Sequence, residues 1–182
     1  MKKVIVFIAN GTEEVEVLTP VDYLRRAGAD VTFAGVPEKE CVGSHGIAIT
    51  ADKAASDCVD DEFDMVVLPG GLPGTLNLEN DENVQKILRK AYDVGKFVAA
   101  ICAAPSVLGK AGMLCGKRAT CYPGFEEHLI GAQHEKAPVV TDKNVITSCG
   151  AGAAGEFAYA LIRALYGEEK SEQIRKAVNP YV

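Results

Sequence analysis

The sequence contains no run of lysines or arginines, and its 25 acidic residues outnumber 19 basic ones. A net charge of −6 and a pI near 5.1 exclude the basic face that nucleic-acid binding needs. No apolar stretch approaches the ~20 residues of a membrane span, and mean hydropathy is +0.06. None of the six cysteines (41, 58, 102, 115, 121, 149) forms C-x-x-C or pairs with a histidine at zinc-finger spacing, so no metal is expected. G-x-G-x-x-G and G-x-x-x-x-G-K-[ST] are both missing, which argues against a nucleotide site. The opening Met1-Lys2-Lys3 and the apolar residues after it mimic part of a signal peptide. Without a small-x-small cleavage site they read instead as a buried strand, and the glycosylation match at Asn10-Gly11-Thr12 carries nothing without export. The expectation is a cytoplasmic protein with free thiols.

What is present is a regular alternation. Val4–Ala9 lacks polar positions, as expected of a strand covered on both faces. A helix follows over about 13–27, with Val17, Leu18, Val21 and Leu24 on one face, Gly28 as its stop and Pro20 kinking or dividing it. Asp30–Val36 is a second strand, and 41–52 suggests a hairpin or edge pair. A third strand at Asp64–Leu68 precedes a helix over about 82–94, and a fourth at Phe97–Ile101 precedes a helix opened by Pro105. Short strands at Val139–Thr141 and Val145–Thr147 flank a turn. A helix over 152–166, with Phe157, Leu161, Ala164 and Leu165 inward, and a polar helix from Glu168 complete the chain. The pattern implies one α/β domain over 1–182, a doubly wound, mostly parallel sheet with helices on both faces. Function in such folds sits in loops at the carboxyl ends of strands.

Three such loops carry chemistry. Cys102 follows an apolar strand, precedes Pro105 and is flanked by the small residues Ala100, Ala103 and Ala104. That pattern suits a nucleophile on a tight strand-to-helix turn, with the helix N-terminus favouring the thiolate. The alternative is a core cysteine that continues the strand. Pro69-Gly70-Gly71 ends the third strand, where glycines let backbone N–H groups face an oxyanion; a plain tight turn is the alternative. Glu13 and Glu14 are explained by the helix dipole. Glu16, beside Val17 and Leu18, is expected to point inward and stay protonated next to the thiol. His45, His128 and His134 read as surface residues.

Together the motifs Gly11-Thr12-Glu13-Glu14-Val15-Glu16, Val67-Leu68-Pro69-Gly70-Gly71, Ala99-Ala100-Ile101-Cys102-Ala103-Ala104-Pro105 and Thr147-Ser148-Cys149-Gly150 carry a family resemblance. The chain resembles the ThiJ/PfpI superfamily (class I glutamine amidotransferase-like domains), on the branch of the Parkinson-associated protein deglycase, over essentially its whole length. The resemblance implies a flavodoxin-like three-layer fold, a homodimer, Cys102 as an oxidation-prone nucleophile and Glu16 as its protonated partner. It also implies an oxyanion hole from the N–H groups of Gly71 and Ala103. Ala103 replaces the histidine that follows the nucleophile in the protease-like branch, which argues against a peptidase. Tyr122 stands where the deglycase branch often has histidine, and His45 and Cys149 stand where two arginines line an anion site. With Gly70, these three are the candidate pocket residues.

The expected activity is cysteine-dependent conversion of 2-oxoaldehydes or their early amine and thiol adducts, as in a deglycase or glyoxalase, with no cofactor. An oxidative-stress sensor or redox-regulated chaperone built on the same thiol is the alternative. Whether Cys121 or Cys149 approaches Cys102 is open at this level.

Overall fold

A computed structural model describes residues 1–181. In chain order the elements are β1 (Lys3–Ala9), α1 (Glu14–Arg26), β2 (Asp30–Val36), β3 (Glu40–Val42), β4 (Ala48–Thr50), β5 (Lys53–Ala54) and β6 (Met65–Leu68). There follow α2 (Gly74–Asn80), α3 (Glu82–Asp93), β7 (Phe97–Ile101), α4 (Pro105–Lys110), β8 (Arg118–Ala119), β9 (Gln133–His134), β10 (Val139–Asp142), β11 (Val145–Ser148), α5 (Ala154–Tyr166) and α6 (Glu168–Val178).

The main sheet has the order β10-β11-β7-β6-β1-β2-β5. Its neighbours run parallel except β10, which is antiparallel to β11. The lack of polar alternation in β1 now has its cause. Ile5, Phe7 and Ala9 point into one core with α2, α3 and α4 (Leu78, Leu88, Leu108), while Val4, Val6 and Ile8 point into a second with α1, α5 and α6 (Val17, Phe157, Ile174). β6 and β7 divide their side chains the same way, giving the three layers of a doubly wound fold. Parallel pairing places the carboxyl ends of β1, β6 and β7 together at one edge.

Several local expectations are corrected. Pro20 does not divide α1, which runs unbroken over Glu14–Arg26 and loses only the N–H that would have met the carbonyl of Glu16. Leu18 is 40% exposed; the buried stripe continues from Val17 back to Glu14 instead. The Tyr23 ring of α1 lies against Tyr159 of α5 at 5.4 Å. The expected hairpin is β3–β4. α2 and the small β8–β9 pair had no clear signature, and α5 begins at Ala154 after a turn of 3₁₀ helix.

Candidate active site

Cys102 follows β7 with φ of +66°, a conformation costly for any residue but glycine. The turn is held from both sides. The Cys102 N–H donates to the carbonyl of Ser148 at 2.9 Å, and the Tyr122 N–H donates to the carbonyl of Cys102 at 2.8 Å. Ala100, Ala103 and Ala104 are buried around it, small enough for these approaches. The N–H groups of Gly71 and Ala103 and the Glu16 carboxyl come near enough to the sulfur to act on its ionisation, the amides favouring the anion and the carboxyl opposing it.

Glu16 is 1% exposed, and its Oε2 accepts the Gly70 N–H at 3.0 Å. A methyl group at position 70 would lie 2.5 Å from that oxygen and 2.6 Å from Cβ of Cys102, so carboxyl and thiol meet only because Gly70 has no side chain. Gly71, at φ +88°, turns its amide towards the sulfur. The loop after β1 is pressed onto this one: the Glu13 N–H donates to the Gly70 carbonyl at 3.1 Å.

Burial pushes Glu16 up to about 7, against the hydrogen bonds from Cys102 and Gly70. Burial also pushes Cys102 up to about 12; the Glu16 charge adds to this, and the Gly71 and Ala103 N–H groups work against it. Each charge makes the other costlier, so these values belong to the pair. It releases one proton near neutrality and the second far above it. The expected depression of the thiol by the N-terminus of the short helix α4 does not win, since burial and the Glu16 charge outweigh it. A sulfur anion here depends on two amides and a protonated Glu16.

Glu14 is the residue that sequence reasoning missed. It is 4% exposed and holds the β3–β4 loop. It accepts the His45 N–H at 2.8 Å, the His45 ring nitrogen Nδ1 at 2.9 Å and the Ser44 hydroxyl at 3.3 Å. Burial opposes ionisation, but these hydrogen bonds outweigh it and hold the carboxyl down at about 2. The signal was available, because Glu14 extends the stripe of Val17, Val21 and Leu24 by one helical step. His45 thus reaches the site only through the acids of α1. Among the described residues, the ligand atoms of Glu13, Glu14 and His45 lie within 4.8 Å of one another, and mutual hydrogen bonds account for that grouping.

Tyr122 is half exposed. A methyl at Gly150 would sit 3.2 Å from its ring and 4.0 Å from Glu16 Oε1, so Gly150 separates Tyr122 from the reactive pair. Tyr122 and Cys149 line a shallow cleft of about 570 Å³ that also contains Glu156. The structure therefore brings together Cys102, Glu16, Gly70, Gly71 and Ala103. Tyr122 stands beside them, and His45 and Cys149 stand further out.

The sequence profile described as the DJ-1/PfpI family matches residues 2–164. The chain belongs to that family. It is 43% identical to Protein DJ-1 homolog B of Arabidopsis thaliana over 176 residues, covering 95% of this chain and 40% of that protein. Against a deglycase of Pyrococcus horikoshii it is 37% identical over 149 residues, covering 80% of this chain and 89% of that one. Among solved structures, oxidized DJ-1 of Toxoplasma gondii superposes with a TM-score of 0.95 at 34% identity, covering 98% of both chains. The chain spans less than half the length of the two Arabidopsis relatives. Among the described residues of this DJ-1/PfpI member, no helix is long and apolar enough to cross a membrane.

Proposed function

We propose that the protein is a cysteine-dependent enzyme acting on 2-oxoaldehydes or their early adducts with amines and thiols. The observation that carries this reading is the convergence of the Glu16 carboxyl and the Gly70-Gly71 and Ala103 backbone on one thiol, with the Gly71 and Ala103 amides favouring its anion. The sulfur adds to the aldehyde carbon and the carbonyl electron pair moves to oxygen, where the two amides receive it. Glu16 supplies the proton that completes the hemithioacetal. Now ionised, it is the base within reach to move the carbon-bound proton to the adjacent carbonyl carbon. The resulting thioester is cleaved by water to a 2-hydroxy acid and the free thiol. The deglycase name of the Pyrococcus relative supports a substrate of this class. A cytoplasmic homodimer needing no cofactor is part of the same proposal.

The test is consumption of methylglyoxal by purified protein beside a Cys102→Ala control. Loss of methylglyoxal with formation of lactate, abolished by the substitution, is the expected result; equal rates in both proteins would remove Cys102 from the reaction.

A second reading rests on the Glu16–Cys102 contact itself. A protonated carboxyl that touches the sulfur can donate to a sulfinate oxygen and hold that oxidation state. The similar Toxoplasma protein was solved in an oxidized form. In this reading Cys102 reports oxidative stress or controls a chaperone surface. Intact mass after mild peroxide separates the two: two added oxygens without any methylglyoxal turnover favours the sensor.

A further inference from the structure

Two thiols that the proposed reaction does not use line one cleft. Cys121 and Cys149 both line a cleft of about 450 Å³, together with Thr120, Glu126, His134 and Pro138. The backbone brings them there. The Thr120 N–H donates to Thr147 Oγ1 at 2.9 Å, and the Thr120 hydroxyl donates to the Ala137 carbonyl at 3.0 Å. Cys149 donates its N–H to the Pro138 carbonyl at 3.1 Å, beside Ala137. Further back, the Arg118 N–H donates to the Asp142 carboxylate at 2.9 Å, and Asp142 is the register partner of Val145. Residues 118–120 thus run alongside 145–147 in the same direction, and the next residues of each segment carry Cys121 and Cys149 to the same end.

We propose that Cys121 and Cys149 form a reversible disulfide, an oxidation site separate from Cys102. Cys149 is the half-buried member at the cleft surface, whereas Cys121 is 3% exposed, so an incoming hydroperoxide meets Cys149 first. The thiolate of Cys149 attacks the peroxide, forming an S–O bond and releasing an alcohol or water. The sulfur of Cys121 then displaces hydroxide from the sulfenic acid, closing the S–S bond as its proton leaves with that oxygen as water. Two thiols lose two electrons and one peroxide gains them. Burial pushes the Cys121 thiol up to about 11, and the charge of Glu126, then that of Cys149, adds to it. The resolving step therefore depends on proximity rather than on a large thiolate fraction.

The bond would cross-tie the two segments that hold the nucleophile. Tyr122, next to Cys121, donates to the Cys102 carbonyl, and Ser148, next to Cys149, accepts the Cys102 N–H. Oxidation of this pair would fix the turn that carries Cys102 without touching its sulfur. The inference does not depend on turnover at Cys102.

The test is peptide mapping without reductant after one equivalent of hydrogen peroxide. Trypsin places Cys102 in 97–110, Cys121 in 119–136 and Cys149 in 144–163, so the three are resolved. A linked 119–136/144–163 species, lighter than the sum of its peptides by two hydrogens, is expected. Dithiothreitol should dissolve it, and Cys149→Ser should prevent it. The linked protein should also show slower hydrogen exchange at the Cys102 and Tyr122 amides. A link from 97–110 to either of the other peptides would overturn the proposal. So would sulfinic acid on Cys149 with no linked species.

Discussion

The coupling of Cys102 to Glu16 is open to direct measurement through the pH dependence of alkylation. With Glu16 in place the pair sheds its first proton near 7, and its charge state then stays constant until about 12. Iodoacetamide labelling of Cys102 should therefore rise through pH ~7 and level off. Replacing Glu16 by Gln leaves a lone thiol. Its titration moves above the ordinary value of ~8.5, because burial persists and the two amides offset only part of it. At pH 6.5 the wild type should react at about a quarter of its plateau rate and Glu16→Gln at about a hundredth of its own or less. Quantifying the labelled 97–110 peptide over pH 5.5–10 reads both curves. Coincident inflections in the two proteins would refute the coupling, as would a wild-type rate that climbs steadily past pH 9. The same shift has a stability signature. Glu16, raised in the folded state, favours folding fully below its unfolded value of ~4.3, and this is lost as pH rises through about 7, roughly 4 kcal/mol in all. Glu16→Gln should therefore gain on the wild type in Tm as pH is raised from 4 to 8.

Gly70→Ala forces a methyl against Glu16 Oε2 and Cβ of Cys102. It should cost about 1–3 kcal/mol in thermal stability and abolish methylglyoxal consumption at temperatures where circular dichroism still reports the native fold. Glu14→Gln removes the carboxylate that holds the β3–β4 loop, at a cost of about 1–3 kcal/mol. Glu14 is held low, so the Tm gap to wild type should be complete above pH ~4.5 and vanish as pH falls through about 2. Val15 and Leu18 project from α1 at 49% and 40% exposure. Sedimentation equilibrium should give twice the 19.3 kDa of one chain, and Leu18→Glu should return it to one.

The central strands were legible because burial on both faces removes polar residues altogether, as in Val4–Ala9. The turn at Cys102 was legible because a strand, three alanines and a proline leave few other geometries. Glu14 was not, since an acid in a first helical turn already has an explanation in the dipole, and its partners lie in a hairpin loop remote in sequence. The protonation of the thiol could not be read either. Local sequence shows a helix terminus, whereas the dominant influences are burial and a carboxylate delivered by the first turn of α1, remote in sequence.

The hydrogen bond from the Cys102 amide to the Ser148 carbonyl sets an order of events during synthesis. β1, β6 and β7 can pair as soon as Ile101 has emerged from the ribosome, yet the strand that secures the next residue is made much later. Until β11 arrives, the nascent chain presents a thiol whose turn lacks one of its two clamps. The interval ends only when residues up to Ser148 are available, and over it an electrophile would meet Cys102 in a turn less constrained than the finished one.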